Sequence, residues 1–584
     1  MEMIRYKFRS VILKTKNATT VIVLTSFFFN KPKTVSKKNQ NKNSKRINLE
    51  SQTEEPNEAI WKYLTLAFIE GATVMAVELF GAKMMTPYYG SSLIVWTTVI
   101  GITLFCLTIG YFLGGRLSMK YKPQNLVFTQ LMISVLLIGM MPILAHPVLQ
   151  YTGDFSFYTG AVIAAIFIFG LPLIFLGSTS PIIILLATKD VERSGKNAGL
   201  VYSISTIGGI FMTFLLGFFV IEEFGITSPN MFIAGFLLLA TVLLLYTRSR
   251  AVFIGFASLI FLFQTLSVYE SDLLHNDESE GLSLLYESEG LLGQLRVLDE
   301  YYPELNLTDR SMLVNGIPQT FVNAENGFSY WYYVHMLSTI CSSKPAGSDV
   351  LLLGFGGGSV ANELTRLDLK VDAVEIDKRM YQIAQDYFKF NPKNTNFIVD
   401  DARHYLKTSK KKYDVIIFDM IKGEVQPPYA LTKESFSEGL KLLKPGGQLL
   451  VNFQGHFDGE EGLPFRSIVA TLKAAGFKNT RFHVENCEAD SPCDFIIIGS
   501  VEEPKIKLDP NRINSCCQNE WFVQDLLNGN RKFDSDAGKG DAIVFTDDLP
   551  ILEHINLKSI VEWRTAMIDM TAKQSLKDGV RLFK

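Results

Sequence analysis

The sequence predicts two parts in one chain: a multi-span α-helical membrane domain, followed by an α/β Rossmann-like domain with a small N-terminal β-hairpin layer. Three observations support this fold class. Between Ile60 and Tyr269 the chain carries few charges and several long apolar runs. From about residue 285, short apolar segments alternate with helical patterns, which is typical of a parallel, doubly wound sheet. A run of glycines directly follows one of the predicted strands, as in many ligand-binding turns.

The composition excludes several classes of protein. The chain has 584 residues, of which 48% are hydrophobic and 20% charged, and its mean hydropathy is +0.18. These values exclude a purely soluble enzyme, and the polar flanks exclude a protein that lies wholly in the membrane. A net charge of −3 gives no indication of nucleic-acid binding. Six cysteines are too few for a disulfide scaffold, and their spacing does not predict a metal site.

We expect four segments along the chain. Residues 1–58, with twelve Lys and Arg against five Glu, are predicted to be a disordered basic arm lying against anionic lipid. Residues 59–270 form the membrane domain, 285–505 the Rossmann domain, and 506–584 an extension without an assigned function. Seven spans are predicted, at 60–82, 91–115, 125–146, 157–187, 198–221, 228–247 and 251–269. The fourth is interrupted at Gly170 and Pro172, so it is either one kinked helix or a helix plus a re-entrant piece.

Three consecutive strand ends carry groups suited to an adenosine ligand. Gly354, Gly356 and Gly358 follow the strand at 350–353 and allow a tight turn close to a ligand. Glu375 ends the next strand, where a carboxylate can accept hydrogen bonds from both ribose hydroxyls. Asp401 follows the third strand and can accept from the exocyclic amine of adenine. A structural turn and a helix N-cap are the alternatives, but the succession of these groups favours ligand binding.

Asp419 ends the following predicted strand, at the same edge of the sheet. A carboxylate there is a candidate general base, with a helix cap as the alternative. No P-loop lysine follows the glycines, which disfavours a nucleoside triphosphate as the ligand.

Residues 290–500 resemble the spermidine synthases and related polyamine aminopropyltransferases, which share the methyltransferase-type Rossmann fold. The matching positions are Gln294, Asn315, Gly316, Gln319, 333–337, 354–358, 374–377, 401–403, 413–419, Leu431, Thr432 and 444–447. The apolar spans are similar to those of bacterial membrane-integral members, in which a multi-span domain is fused to this domain. Glu78, residues 110–116, residues 546–548 and Pro550 fit that fused pattern.

The resemblance implies transfer of an aminopropyl group from decarboxylated S-adenosylmethionine to a polyamine such as putrescine. The donor, or S-adenosylmethionine itself, would be a co-substrate, and we expect no tightly bound cofactor and no metal. Asp419 and Tyr333 would be catalytic, with Asp419 removing a proton from the attacking amine. Donor-binding residues are expected to be Gln294, Gly354, Gly356, Gly358, Glu375, Asp401 and Ala402. The acceptor amine is expected to contact Gln319, Tyr333 and Glu424.

Two positions depart from the family pattern. Gly357 stands where the glycine loop normally carries an Asp, and Lys422 stands where a second Asp follows the base. A diamine carries about two positive charges at neutral pH, because amine pKa values lie near 10. Losing these carboxylates is therefore expected to weaken diamine capture, and Glu424 on the same loop is a candidate replacement.

Two other functions stay open. Loss of the two acids favours an S-adenosylmethionine-dependent methyltransferase that acts on another acceptor. Glu70 in the first span and the interrupted fourth span permit a non-catalytic, transporter-like protein whose soluble domain senses a nucleoside or a polyamine. The expected partners are the lipid bilayer and a small amine, without nucleic acid, and a homodimer is considered.

The loop charges and the donor chemistry predict opposite orientations. Basic residues follow spans two, four and six: Arg116, Lys120, Lys122, Lys189, Arg193, Lys196, Arg248 and Arg250. Positive charge stays in the cytoplasm, so seven complete spans place the α/β domain outside. Adenosyl sulfonium donors are cytosolic, however, so we expect a multi-pass cell-membrane protein with this domain on the cytoplasmic face. The required change of parity would come from the fourth span, the 18–29 stretch, or a seventh segment lying along the surface.

Overall fold

The computed structural model describes residues 58–90, 92–188, 191–274, 282–290, 292–421, 423, 425–485, 491–504, 512, 534–537 and 540–571. Almost all of the predicted basic arm, and the 18–29 stretch within it, lie outside these residues. So do Lys422 and Glu424, on the loop that follows the predicted base.

Seven helices among the described residues are long and apolar enough to cross a membrane. They are α1 (Glu58–Tyr89), α2 (Leu93–Leu117), α3 (Pro123–Thr152), α4 (Phe157–Ala187), α5 (Ser194–Phe224), α6 (Thr227–Leu245) and α7 (Ala251–Leu274). A helix of about 20 apolar residues is as long as the hydrocarbon layer is thick. The helices are therefore compatible with a membrane protein of the predicted kind.

The interrupted fourth span is one continuous helix. A π-helical turn at Ile166–Gly170 leads directly into Leu171–Ala187, so the helix passes through Pro172 without a break. Proline lacks the N–H that an α-helical turn needs, and a local π turn rearranges the hydrogen bonds around it. The chain does not form the re-entrant piece considered above.

Hydrogen bonding to a carboxylate and close backbone contact join three of the helices. Glu70 on α1 accepts hydrogen bonds from Ser180 Oγ on α4 and Ser205 Oγ on α5, both at 2.9 Å. Near this site, a Cβ added to Gly208 of α5 would lie only 2.1 Å from the carbonyl oxygen of Phe68. Small residues at such crossings let helices approach closely, which drives their association in lipid.

A small antiparallel sheet precedes the main domain. Its strands are β1 (Leu282–Ser288), β2 (Leu295–Tyr302), β3 (Leu307–Val314) and β4 (Ile317–Asn323), in that order. The predicted hairpin layer corresponds to β2 to β4. The sequence did not predict β1, because this strand lacks a clear apolar alternation and is defined by its pairing with β2.

The main sheet has seven strands in the order β10-β11-β9-β8-β5-β6-β7. They are β5 (Asp349–Leu353), β6 (Lys370–Glu375), β7 (Thr395–Val399), β8 (Tyr413–Phe418), β9 (Leu443–Gly455), β10 (Asn479–Glu485) and β11 (Cys493–Ser500). This is the strand order of a methyltransferase-type Rossmann domain, so the predicted fold class is confirmed. Strands β5 to β9 pair in parallel, as predicted, and the sheet as a whole is mixed because of β11. A short connection joins β10 to β11, which therefore pair as a hairpin, and β11 also runs antiparallel to β9.

Helices cover both faces of this sheet and bury its apolar side chains. One face packs against α8 (Tyr332–Ser342), α9 (Ser359–Arg366) and α10 (Arg379–Tyr387). The other packs against α11 (Ala402–Thr408), α12 (Lys433–Leu442) and α13 (Leu463–Ala474). With both faces covered, the edge formed by the carboxyl ends of the parallel strands is the surface left for a ligand.

The C-terminal extension joins the α/β domain to the helical bundle. It contains α14 (Leu552–Ile555) and α15 (Leu557–Met570). Arg564 on α15 is fully buried and donates to the carbonyl oxygens of Pro87 and Asn315, at 3.3 and 3.0 Å. Lys83 Nζ on α1 donates to Gly290 O, just after β1, at 2.8 Å. The C-terminal end of α1 is therefore held both by the extension and by the small sheet.

Further contacts place the α/β domain at one end of the bundle. The backbone N–H of Leu93, at the start of α2, donates to Glu553 Oε1 at 2.8 Å. Lys378 forms a solvent-exposed ion pair of 3.4 Å with Glu222, near the end of α5. The domain thus contacts the C-terminal ends of α1 and α5 and the N-terminal end of α2.

Replacing Gly208 with alanine is expected to destabilise the bundle, because the added methyl group collides with the backbone of α1. Overpacking of this kind costs about 1–3 kcal/mol. The Gly199→Ala variant in the same helix is the matched control, since nothing lies within 4 Å of the added Cβ. Thermal unfolding in detergent should show a lower Tm for Gly208→Ala only. Equal Tm values would contradict the close crossing of α1 and α5.

Candidate functional site

A cavity of about 390 Å³ lies at the carboxyl edge of the parallel strands. Eight of the residues predicted from the sequence line it: Gln319, Tyr333, Gly354, Gly356, Glu375, Asp401, Ala402 and Asp419. A ligand crevice is expected at this place in a doubly wound sheet, where the strand order reverses between β5 and β8. The cavity volume is in the range of small-molecule sites.

The glycine turn after β5 approaches the backbone of the neighbouring strand end. Gly354 has φ of +91°, and a Cβ at this position would lie 2.1 Å from the carbonyl oxygen of Asp419. Glycine is therefore required both for the left-handed backbone and for the close approach. The turn is also tied to the small sheet, because the Gly357 N–H donates to Thr320 Oγ1 at 2.9 Å.

Glu375 is held by backbone N–H groups at the end of β6. Its Oε2 accepts from the Phe355 N–H and its Oε1 from the Asp377 N–H, both at 3.0 Å. Burial raises the pKa of Glu375, while these N–H groups oppose that increase. Each carboxylate oxygen can accept a second hydrogen bond, so two adjacent hydroxyl donors suit this group.

Asp401 combines the two roles that the sequence left open. It caps α11, where its Oδ1 accepts from the His404 N–H at 2.9 Å, and its side chain also lines the cavity. A hydrogen bond from Tyr429 to Asp401 places an aromatic ring beside it. Asp401, Ala402 and Tyr429 all line the cavity, and a carboxylate beside an aromatic ring suits a purine.

Asp419 is buried at the end of β8. Burial raises the pKa of Asp419 to about 6, and the nearby Glu375 charge adds to this increase. Asn452 Nδ2, at the end of β9, opposes it by donating to Asp419 Oδ1 at 2.8 Å. A carboxyl group with a raised pKa is better matched to accepting a proton from an amine than an ordinary aspartate.

Tyr333 and Gln319 lie at the opposite wall, on α8 and β4. Burial raises the pKa of Tyr333 well above its ordinary value, with further contributions from the charges of Asp419 and Asp494. The hydroxyl therefore stays protonated and can donate. Gln319 Nε2 donates to the carbonyl oxygen of Gly423 at 3.0 Å, which anchors the loop after β8.

Two of the predicted residues are not at the cavity. Gln294 is buried and donates from Nε2 to Glu289 Oε1 at 2.9 Å, so it supports the connection between β1 and β2. Gly358 starts α9 with a left-handed backbone and packs against Phe390 instead of lining the cavity.

Most of the cavity residues were not predicted from the sequence, among them Trp331, Gln454, Asp494 and Trp563. Asp494 begins β11, which is antiparallel, so its first residues lie at the edge where the parallel strands end. Trp563 comes from α15 in the extension. Asn452, in contrast, ends a predicted strand and could have been found by extending the strand-end argument to β9.

The α/β part is similar to proteins of known type. The spermine/spermidine synthase domain matches residues 332–478. A polyamine aminopropyltransferase of Vibrio vulnificus is 38% identical over 129 residues, covering 21% of this chain and 43% of that protein. Polyamine aminopropyltransferase 2 of Aquifex aeolicus is 22% identical over 426 residues, covering 70% of this chain and 82% of that protein.

A solved structure of a probable spermidine synthase from Corynebacterium glutamicum is also similar. It is 17% identical, covers 44% of this chain and 97% of that chain, and superposes with a TM-score of 0.34. The chain spans less than half the length of the Vibrio relative. Residues 332–478 thus match a spermine/spermidine synthase domain, and the chain is similar to polyamine aminopropyltransferases.

Proposed function

We propose that the chain transfers an aminopropyl group from decarboxylated S-adenosylmethionine to a polyamine such as putrescine. One observation carries the proposal. A single cavity is lined by the glycine turn, Glu375, Asp401 and the buried carboxyl group of Asp419. The first three suit the adenosine part of the donor, and Asp419 lies on the next strand along the edge.

In this proposal Asp401 and Tyr429 hold the adenine, and Glu375 accepts from the ribose hydroxyls. The aminopropyl chain then points along the sheet edge towards Asp419 and Tyr333. Asp419 takes a proton from the acceptor ammonium, which frees a nitrogen lone pair. The nitrogen attacks the carbon next to the sulfonium, a C–N bond forms, the C–S bond breaks, and methylthioadenosine leaves with the bonding electron pair.

The raised pKa of Asp419 lowers the cost of the proton transfer. An ammonium group has a pKa near 10, so transfer to an aspartate with a pKa of about 6 is uphill by about 6 kcal/mol. An ordinary aspartate would add roughly 3 kcal/mol to this cost. Burial of the acceptor lowers its own pKa and reduces the difference further.

The Asp419→Asn variant is expected to lose about 10²- to 10⁴-fold in kcat, the usual contribution of a general base. Methylthioadenosine release from decarboxylated S-adenosylmethionine and putrescine measures the rate in detergent-purified full chain. Thermal stabilisation by methylthioadenosine should be unchanged, because the adenosine contacts lie elsewhere. The exposed Asp541→Asn is the control and should retain the full rate. Undiminished turnover in Asp419→Asn would exclude Asp419 as the base.

The pH dependence follows from the same carboxyl group. Asp419 accepts a proton only when ionised, so kcat/KM is expected to fall about tenfold per pH unit below pH 6 and to level off above pH 7. Initial rates between pH 4.5 and 8.5 measure this profile. A profile without this acidic limb would assign the proton transfer to another group.

Methyl transfer is the second candidate. Gly357 supplies no carboxylate to the glycine turn, which removes one of the acids that the family pattern places near the acceptor. In the same assay, S-adenosylmethionine replaces the decarboxylated donor. Formation of S-adenosylhomocysteine, without methylthioadenosine release from the decarboxylated donor, would favour this reading.

The side of the membrane that carries the α/β domain is a separate proposal. The domain contacts the ends of α1, α2 and α5 at Lys83, Leu93 and Glu222. The basic loops connect the opposite ends of the helices. Two of these loops meet, because Arg250 Nη2 donates to Gln124 O and Asn125 Oδ1 at 2.8 and 2.7 Å.

These positions favour the face away from the cytoplasm, in place of the cytoplasmic face expected from donor chemistry. Two features of the described helices support an odd number of spans. The α4 helix is continuous, and α7 packs against α3, where Gln264 donates to Leu136 O. Cys493 is also disulfide-bonded, as is common in oxidising compartments. On that face the cavity would not be exposed to the cytosolic pool of the donor. The reaction is therefore tested with purified protein, to which the donor is added directly.

A reporter fused after Lys584 tests the orientation. Alkaline phosphatase is expected to be active there and a green fluorescent protein dark. The same reporters fused after Met119, in the loop between α2 and α3, are the control and should give the reverse pattern. A fluorescent fusion after Lys584 would return the domain to the cytoplasmic face.

A further inference from the structure

Among the residues that the structure describes, six acidic side chains line the cavity, and five of them already have a role. They are Glu375, Asp377, Asp400, Asp401, Asp419 and Asp494. Glu375 and Asp401 face the proposed adenosine, and Asp419 is the proposed base. Asp377 is paired with Arg379 at 2.6 Å, and Asp400 contacts His404 at 2.9 Å. None of these tasks involves Asp494.

The strand order separates Asp494 from the donor residues. Along the edge, the groups run from Asp401 after β7 through Glu375, Gly354 and Asp419 to Asp494 on β11. Since β9 lies between β8 and β11, Asp494 is two strand spacings beyond the base, about 10 Å between strand axes. The donor occupies one side of Asp419 in our proposal, and Asp494 lies on the other.

Asp494 is held in place by the neighbouring strand. Gln454 lies opposite it in the β9–β11 register, and its Nε2 donates to Asp494 Oδ1 at 3.1 Å. Tyr333 lines the same cavity as Asp419 and Asp494, and the charges of both acids add to the effect of burial in raising its pKa. Beyond the proposed base, the cavity therefore offers a second carboxylate and a phenol hydroxyl.

Two indole rings line the same cavity. The ring centroids of Trp331 and Trp563 are 6.2 Å apart, at an interplanar angle of 49°. Aromatic faces favour both methylene chains and ammonium groups. An acceptor with two cationic centres joined by an apolar chain matches this combination of acids and rings.

We propose that Asp494 binds the distal ammonium group of the acceptor, and so takes over the recognition of the second positive charge. This inference rests on the proposed aminopropyl transfer. It supplies a carboxylate for the second cation in a chain where Gly357 and Lys422 stand at two positions that carry acids in the family pattern. The acceptor class is a linear amine with a second cationic group that reaches Asp494 while the attacking nitrogen is at Asp419, which excludes simple monoamines as good acceptors.

The test compares a diamine with a monoamine of equal length on the full chain loaded with methylthioadenosine. Putrescine and butylamine are titrated by calorimetry, and initial rates are measured with decarboxylated S-adenosylmethionine. Asp494→Asn is expected to raise the Kd and KM for putrescine about 10- to 100-fold, as for loss of a hydrogen bond between charged groups. The kcat should change less than threefold, and butylamine binding should not change.

Asp494→Glu keeps the charge and should restore most of the affinity for putrescine, whereas the Asp541→Asn control should behave as the wild type. Equal putrescine affinity in Asp494→Asn, equal losses for both amines, or no putrescine binding by the wild type would each overturn the inference. If putrescine binds in an Asp494-dependent way and no methylthioadenosine is released, the proposed reaction fails and the assignment of Asp494 stands.

Discussion

The backbone contact between the Gly354 turn and the end of β8 sets the geometry of the cavity. A Cβ at Gly354 would lie 2.1 Å from Asp419 O, so the two strand ends can approach this closely only with glycine. The turn also directs the Phe355 N–H to Glu375, which orients the carboxylate on the neighbouring strand. The glycine turn therefore aligns the ends of β5, β6 and β8. As a result, the carboxyl groups of Glu375 and Asp419 line the same cavity.

Burying several carboxyl groups together is costly unless each is hydrogen-bonded. Backbone N–H groups do this for Glu375 and Asp401. For Asp419 and Asp494 the partners are the side-chain amides of Asn452 and Gln454. Backbone donors are independent of the local side chains, whereas amide side chains can be exchanged by mutation. The fold itself therefore orients Glu375 and Asp401, while two replaceable side chains orient Asp419 and Asp494.

The helical bundle contributes to the site through the C-terminal helix. Arg564 on α15 is fully buried and bridges Pro87 of α1 and Asn315 of the small sheet. The preceding residue, Trp563, lines the cavity. A fully buried guanidinium is stable only when its N–H groups are paired, so α15 keeps its position only while it contacts both partners. One wall of the cavity therefore depends on the helical bundle as well as on the Rossmann domain.

The amino-acid sequence by itself determined the features that depend on neighbouring residues along the chain. Seven apolar runs predict seven helices, and alternating patterns predict a Rossmann fold. Glu375, Asp401 and Asp419 could be placed together because parallel strands share one carboxyl edge. Only the tertiary structure decided what depends on pairing across the chain. The antiparallel direction of β11 brings Asp494 to that edge, α15 brings Trp563, and the contact with Glu289 directs Gln294 away from the cavity. Partners so distant in sequence leave no local pattern, because their positions are set by packing and strand register.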